Sequence, residues 1–529
     1  MSRRYKTLRA FAGGRLPIFR HVFDVMLGVL VGGLVSGVAL AQEDPAVAPG
    51  KPRWSITPTV AVDLTYTDNV NPGGGQKTSD LITRVSPGIR IEGSSARASG
   101  NLTYNWQHYS YAESSARDSR QQSMAAKGKL ELVEKWMFID ASGNIAQRTI
   151  SAFGTQGASN ELVNSNRTET SSYQLSPYLQ GRLGGVADYE LRYSNMQTSA
   201  DTGVLSGGGT TTQAWNGRLS GATPLTLLGW SLNAERQSAE FGSTNETRTS
   251  RLYGTLEYRI DPQIRLFLNA GQESDNFSSD RRSRTTRGYG VDWAPTERTL
   301  LSLKKDRHSY GDSHSANFTH RTALSAWKLS DSRSVSLPTQ QMTQAPVSSA
   351  YELLNMQLMS SIPDAAERAI AVSQMLQQAG ISADALVFGN VMSSQAFVQR
   401  RQEASVALTG VNNTVTLSVQ RSSSERTGTG VSLIDDFASS SRVRQSGLSG
   451  SWAHKLSPHA ALTLNANTSR SSGDTASQET RLRSLSLLLT KKLGVRTSAT
   501  AGLRQTSSDS AGGASYDERA VTGSVLVTF

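Results

Sequence analysis

Histidine and serine side chains are the first candidates for catalysis in a chain that has no cysteine and only 7 histidines. His108 and Ser110 are two residues apart, so a strand would direct both to one face, where a histidine base could activate a serine nucleophile. That face also carries Leu102, Tyr104 and Trp106, and an apolar surface is a poor place for such a pair. We therefore expect no catalytic role for His108, and the sequence predicts no enzyme.

Metal and phosphate sites are also poorly supported by residue spacing. Three further histidines flank a predicted loop at residues 311–315, and their spacing matches no compact metal motif: His308, His314 and His320. Asp435 and Asp436 lie in a predicted outer loop and could meet a cation, but a solvated loop is the safer interpretation. The glycine runs at 73–75 and 207–209 follow no strand-to-helix pattern and are read as loops. No cofactor and no metal site are expected.

Arginines on the polar faces of predicted strands are the remaining chemical candidates. If those faces surround a wet interior, they place the following residues along it: Arg84, Arg90, Arg251, Arg259, Arg265, Arg481 and Arg483. Lumen arginines could screen anionic solutes, or they could pair across strands with Glu92 and Glu257. The sequence leaves both alternatives open.

The elements that would position these side chains are strands with one apolar and one polar face. Between Trp54 and Tyr66 nearly every second residue is apolar, and segments of about ten residues repeat this pattern along the chain. Hydrophobic residues make up only 37% of the chain and the mean hydropathy is −0.38, as expected for a barrel in which every second strand residue faces a water-filled interior. The predicted fold class is all-β: a large antiparallel transmembrane β-barrel of about 22 strands, with 20 as the alternative, and a short helical insertion.

The connections between these strands alternate between short turns and longer polar loops. Short turns are expected near 94–97, 134–135 and 411–413, and long loops near 148–166 and 425–440. An even strand number keeps both chain ends in the periplasm. This alternation requires an ascending strand over Ser334–Gln340, where Pro338 would make it short or irregular.

Both ends of the chain agree with an outer-membrane location. Residues 1–41 read as a signal peptide: a basic leader, a glycine-broken apolar run, and a cleavage site marked by Ala39 and Ala41. The last strand resembles the closing strand of bacterial outer-membrane barrels. Its residues Val525, Val527 and Phe529 are therefore expected to act as the assembly signal read by the barrel assembly machinery. The segments in between are assigned as follows: 42–53 a periplasmic stub, 54–340 and 398–529 the barrel, and 341–397 an insertion.

The insertion at 341–397 loses the two-residue period. Leu353, Leu354 and Leu358 have helical spacing, and Pro363 with Asp364 opens a second predicted helix. Short apolar helices need a larger surface to pack against, which favours a plug inside the barrel or a cap outside it. A helical pair that merely covers itself outside the cell is the alternative.

Three short motifs resemble the outer-membrane proteins associated with the PEP-CTERM/exosortase system. They are Trp54–Pro58, Tyr66–Val70 and Val85–Ile89, and Ile362–Arg368 in the insertion is similar to the mid-chain segment of that family. The resemblance implies a setting beside exopolysaccharide production and surface-protein sorting, and it brings no catalytic residues.

Two functional hypotheses remain. The first is a conduit or scaffold for exopolysaccharide export or surface assembly, and the alternative is a general diffusion porin with a basic lumen. The expected partners are outer-membrane lipid, lipopolysaccharide, the assembly machinery, and exopolysaccharide or secretion components. Nucleic acid is not expected, because a signal peptide is predicted and no basic–aromatic cluster occurs.

Overall fold

The computed structural model describes residues 53–72, 76–113, 117–157, 159–162, 164–200, 209–225, 227–241, 245–276, 282–336, 349–358, 368, 372, 396–427, 435–512 and 515–529. The predicted signal peptide with Ala39 and Ala41, most of the predicted stub and nearly all of the second predicted helix lie outside these residues.

The described residues form one closed sheet of 22 strands, in which each strand pairs antiparallel with its neighbours in sequence and β1 pairs with β22. The strands are β1 Arg53–Thr67, β2 Asp80–Ser94, β3 Ala98–Tyr111, β4 Ser119–Val133, β5 Met137–Thr149, β6 Arg167–Leu183, β7 Ala187–Ala200, β8 Thr210–Ala222, β9 Leu228–Phe241, β10 Asn245–Arg259, β11 Ile264–Asp275, β12 Arg282–Thr296, β13 Thr299–His308, β14 Gly311–Arg321, β15 Ser325–Ser336, β16 Phe397–Thr409, β17 Asn413–Arg426, β18 Arg442–Ser457, β19 Ala460–Ser472, β20 Glu479–Lys492, β21 Thr497–Ser510 and β22 Tyr516–Thr528. The predicted all-β barrel is confirmed. Closure leaves no unpaired sheet edge.

The ascending strand before the insertion begins earlier than predicted. It is β15, which begins at Ser325 and contains Ser334–Ser336 of the expected strand. Residues 337–340 are not among those described. The predicted loop at 311–315 is likewise the start of β14, because a turn at Ser309 and Tyr310 already joins β13 to β14.

Short and long connections alternate around the barrel and define its two ends. Turns such as 134–136, 184–186 and 410–412 lie at one end, here called the short-turn end, together with Arg53 and Phe529. Connections such as 150–166 and 427–441 lie at the other, here called the long-loop end. This is the asymmetry of outer-membrane barrels.

Side chains alternate between the two faces of the wall. On β1, Val62, Leu64 and Tyr66 are exposed, whereas Thr65 and Thr67 are buried on the opposite face. Thr65 there contacts Glu161 of the connection after β5, so that face is the inner one. The exposed apolar residues on the other face continue around the barrel, as Leu252, Leu268, Leu417 and others show, and form a belt far larger than an ordinary exposed patch.

The apolar stretch of the outer face differs in height between strands. On β1 it runs from Trp54 to Tyr66, which corresponds to roughly 30 Å along the barrel axis. On β15 it contains only Trp327 and Leu329 before Asp331 follows, roughly 7 Å. Outward tryptophans gather near the short-turn end: Trp230, Trp293, Trp327 and Trp452.

Two helices have both ends among the described residues: α1 Ser349–Leu358 in the insertion, and α2 Asp436–Ser439, which Asp435 caps. No helix in the described ranges is long and apolar enough to cross a membrane.

Candidate functional site: the lumen and the segments that occupy it

Five of the predicted lumen arginines lie on the inner face, and each is within ion-pair distance of a carboxylate. The nitrogen–oxygen distances are Arg84–Asp63 2.8 Å, Arg90–Glu92 3.7 Å, Arg251–Glu273 2.8 Å, Arg259–Glu257 2.9 Å and Arg265–Asp292 3.2 Å. The partners lie on the same or the neighbouring strand. The positive charge of this wall is therefore locally compensated, and the arginines do not form an uncompensated screen for anions.

The other two predicted lumen arginines point outward. Arg481 and Arg483 alternate with the buried Thr480 and Leu482 and share the face of Leu485 and the leucines beyond it. They lie at the long-loop end of β20, where Arg481 pairs with Glu479 at 2.7 Å. The sequence analysis placed these two residues in the lumen because they are charged. The alternation of side chains along β20 instead places them on the outer face.

The β5–β6 loop, residues 150–166, crosses the interior at the long-loop end. The carbonyl oxygen of Phe153 accepts hydrogen bonds from Thr480 on β20 at 2.8 Å and from Ser510 on β21 at 3.3 Å. Gln121 on β4 donates to the carbonyl of Asn160 at 2.9 Å. A loop that leaves β5 and contacts walls on both sides of β1 obstructs part of the opening.

A buried charge bridge anchors the far end of this loop. One guanidinium nitrogen of Arg504 on β21 contacts Glu161 at 2.6 Å and Glu518 on β22 at 2.7 Å. Thr65 donates to Glu161 and Thr67 to Glu518, each at 3.1 Å. Removing one partner of a buried pair leaves an uncompensated charge, which costs about 3–5 kcal/mol. We call Glu161, Arg504 and Glu518 the Arg504 bridge.

The Arg504 bridge is not fully satisfied within the described part of the chain. Glu518 Oε2 and Arg504 Nε are buried without a hydrogen-bond partner there. Two carboxylates also share one guanidinium, so a negative charge is left over. Each unsatisfied buried group carries a desolvation cost, which lowers the net stabilisation that this anchor gives to the docked loop.

A second anchor holds the start of the loop. The carboxylate of Asp436 on α2 accepts hydrogen bonds from the backbone N–H of Ala152 at 2.7 Å and from the Ser151 hydroxyl. Burial, the largest influence, raises the pKa of Asp436 above its ordinary value, and these hydrogen bonds oppose that effect. An apolar cluster surrounds the contact: Ala152, Phe397, Phe437 and Val443, with Phe153 packed against it.

Helix α1 lies against the inner wall. Leu353 is fully buried and packs on Ala326 of β15 and Ala407 of β16, which are inward-facing residues near the short-turn end. Lys328 of β15 pairs with Glu352 of α1 and, at 3.8 Å, with Glu403 of β16. The described part of the insertion thus packs deep inside the barrel.

The histidines that the sequence singled out are engaged in wall contacts. His108 stacks on Trp106 on the outer face, with ring centroids 5.9 Å apart. His308 contacts Glu273 at 2.9 Å, and His314 contacts Asp331 at 3.2 Å. Across the part of the chain that the structure describes, no group of three or more His, Asp or Glu side chains is placed to hold a metal ion.

Sequence reasoning missed the Arg504 bridge. Arg504 and Glu518 occupy inward positions on neighbouring strands, which the alternation of their strands would have revealed. Their partner Glu161 lies 343 residues from Arg504 in an irregular loop, and no local pattern marks it.

Comparison with protein families adds little to this description. Residues 202–331, less than half of the chain, match a family described as "Protein of unknown function, DUF481". No curated protein matches the chain.

Solved barrels resemble this one at low identity. A mutant of the ferric enterobactin receptor PfeA from Pseudomonas aeruginosa is 10% identical, with 89% of this chain and 80% of that chain covered and a TM-score of 0.46. The FrpB iron transporter from Neisseria meningitidis is 12% identical, with coverage of 89% and 81% and a TM-score of 0.44. OccAB1 from Acinetobacter baumannii is 8% identical, with coverage of 90% and 96% and a TM-score of 0.34. Likenesses at these TM-scores carry no argument about transport, and none of these names refers to a PEP-CTERM or exosortase system.

Proposed function

We propose that this protein is an outer-membrane conduit that is closed at rest by the β5–β6 loop and by helix α1. The single observation that carries the proposal is the Arg504 bridge, which fixes the inward-folded β5–β6 loop to β21 and β22, beyond β1. The outer-membrane location is supported by the belt of exposed apolar side chains, because burying such residues in lipid rather than water gains about 1.5–3 kcal/mol each. The N- and C-terminal strands meet at the short-turn end, as periplasmic ends do.

The cargo that we propose is a hydrated polysaccharide, or a surface component sorted with it. The motifs that resemble the PEP-CTERM/exosortase family imply this class of cargo. The inner wall supplies suitable chemistry, since hydroxyl and amide side chains follow one another on the inward face of β17: Thr414, Thr416, Ser418, Gln420, Ser422 and Ser424. All but Thr414 are buried in the closed barrel, so opening must expose them to cargo. Such groups exchange hydrogen bonds with sugar hydroxyls as they do with water.

Single-channel conductance of the purified protein tests closure. We expect low conductance from the intact barrel and frequent openings after deletion of 341–397 or after Arg504→Gln, which leaves two buried carboxylates facing each other. Arg90→Gln is the matched control, because this inward arginine pairs with Glu92 on its own strand and does not touch the loop. High, constant conductance in the intact protein and in all variants would instead show a diffusion porin.

The cargo is tested in the opened Arg504→Gln variant. A neutral oligosaccharide should block its current at concentrations where polyethylene glycol of equal mass does not, because the sugar hydroxyls both donate to and accept from the hydroxyl-lined wall, whereas the ether oxygens of polyethylene glycol only accept. Equal block by both would argue against a polysaccharide cargo and leave the gated conduit intact.

A further inference from the structure

Arginines on the outer face gather on one flank of the barrel, between β12 and β22, at the long-loop side of the apolar residues. The members without a carboxylate in ion-pair distance among the described residues are Arg287, Arg307, Arg421, Arg444, Arg483 and Arg519, and each is exposed. We call them the outer arginine belt. Their strand parity places them on the face of exposed apolar side chains, as Val419 beside Arg421 and Leu485 beside Arg483 show.

Other charges on this flank cancel the belt only in part. Four outward carboxylates on this flank are engaged by other basic residues: Asp331 by Arg400 at 2.6 Å, Glu425 by Arg442 at 2.8 Å, Glu479 by Arg470 and Arg481 at 2.8 and 2.7 Å, and Asp312 by Lys305 at 3.8 Å. Asp509 on β21 and Asp517 on β22 are exposed without an ion pair among the described residues, and they offset part of the charge of the belt. On the outer face of β9 and β10, by contrast, Glu240 and Glu246 accompany Arg236 and Arg248. Exposed outward arginines without an ion pair are thus more numerous between β12 and β22 than on the rest of the described barrel, where Arg120 on β4 and Arg236 on β9 are examples.

A groove in the outer wall lies just below the belt. It has a volume of about 450 Å³, with Ala316 and Ala404 between larger neighbours that include Phe318 and Val419. Arg421 and Gln402 lie at its long-loop end, since they are paired in register directly above Val419 and Ala404. Two alanines at these outward positions leave space that leucine or valine would fill.

We propose that this flank binds the phosphorylated glycolipid of the outer leaflet, that is, lipid A, with its phosphates on the outer arginine belt and one acyl chain in the groove. Guanidinium groups bind phosphate with paired hydrogen bonds. Outward arginines cannot meet cargo inside the lumen, but they meet the headgroups of lipids packed beside the barrel. The long-loop end faces away from the periplasmic chain ends, so those headgroups belong to the outer leaflet.

The test is lipid retention by barrels reconstituted in nanodiscs that contain phosphatidylethanolamine with equal amounts of bisphosphorylated lipid A and phosphatidylglycerol. After mild detergent extraction, native mass spectrometry should find lipid A retained on the intact barrel in preference to phosphatidylglycerol. The triple variant Arg421→Gln, Arg444→Gln, Arg483→Gln should retain roughly fivefold less, because the charge-assisted contacts are lost. Lipid A that lacks one phosphate should be retained less by the intact barrel.

The matched control is Lys455→Gln, Lys491→Gln, Lys492→Gln. It removes the same charge from β18 and β20 at the short-turn end, and it should leave retention unchanged. Ala404→Phe fills the groove while it keeps every arginine, and it should lower retention severalfold.

The outcomes separate this inference from the proposed conduit, on whose membrane placement alone it rests. Equal retention of phosphatidylglycerol, or unchanged retention in the arginine triple variant, overturns the lipid A site whether or not the barrel conducts. A folded barrel that does not enter the nanodiscs overturns the membrane placement itself.

Discussion

At the residue scale, Arg504 has a role that glutamine cannot reproduce, because glutamine carries no positive charge. It contacts carboxylates from the loop and from β22 through one nitrogen, inside the wall, where both are shielded from water. The chain contains no cysteine, so one introduced thiol reports on the loop without interference.

Loop release can be followed by maleimide labelling of Leu162→Cys, because Leu162 is only 4% exposed. Arg504→Gln should speed labelling roughly 100-fold, since it leaves two buried carboxylates unpaired. Glu161→Gln should speed it less, because Arg504 keeps Glu518. Arg90→Gln should leave the rate unchanged, and equal rates in all variants would show that the bridge does not hold the loop.

Asp436 should make loop docking depend on pH. Its pKa is raised in the docked state, so that state binds a proton more tightly than the released one. Docking is therefore strongest below the ordinary pKa of 3.8 and weakens as the pH rises through the raised value. The labelling rate of Leu162→Cys should therefore fall as the pH is lowered. The double variant Leu162→Cys, Asp436→Asn is the control, because it shows how far the reactivity of the thiol and the maleimide alone changes with pH. If the labelling rates of the two proteins change in parallel with pH, the prediction is wrong.

At the element scale, most of the barrel was predictable, because successive side chains of a strand point to opposite faces and short turns are marked by Gly, Pro and Asn. The failures have local causes. Arg481 and Arg483 share the parity of Leu485, which was readable in the sequence, but their charge was given more weight than their position. The β5–β6 loop has no period, so its inward course depends on contacts far along the chain.

Strand β12 shows how the inner wall makes room for its charges. Gly288 lies between Asn269 and Asp306, whose side chains are hydrogen-bonded at 2.7 Å across it, and a Cβ there would overlap Asp306 Oδ1. Gly288→Ala should destabilise the barrel by about 1–3 kcal/mol through overpacking. Urea unfolding in detergent measures this, with Gly523→Ala as the control, because a Cβ at Gly523 meets nothing within 4 Å. Equal urea unfolding midpoints for Gly288→Ala and Gly523→Ala would contradict this prediction.

At the scale of the whole molecule, closure depends on the last strand. β22 pairs with β1 from Thr59 to Thr67, and the backbone N–H of Phe529 donates to Pro58 at 2.9 Å. The sequence-based assembly role of Val525, Val527 and Phe529 stays a prediction.

That assembly role has a direct test in cells. Phe529→Ser should reduce the amount of barrel that migrates as a compact species in unheated gel samples from outer membranes, because the exposed aromatic end is lost from the closing strand. Thr528→Ser, a change on the opposite face of the same strand, should assemble normally. Normal yield from Phe529→Ser would remove the C-terminal aromatic from the assembly signal.

The unequal height of the apolar outer face constrains how the barrel sits in a membrane. With an apolar height of roughly 30 Å at β1 and roughly 7 Å at β15, no flat bilayer of uniform thickness matches both sides. The barrel must either tilt in the membrane or thin the bilayer locally along β15. Lipids beside that flank are then strained and shortened, which makes it the place where a neighbouring molecule would relieve the greatest mismatch by docking.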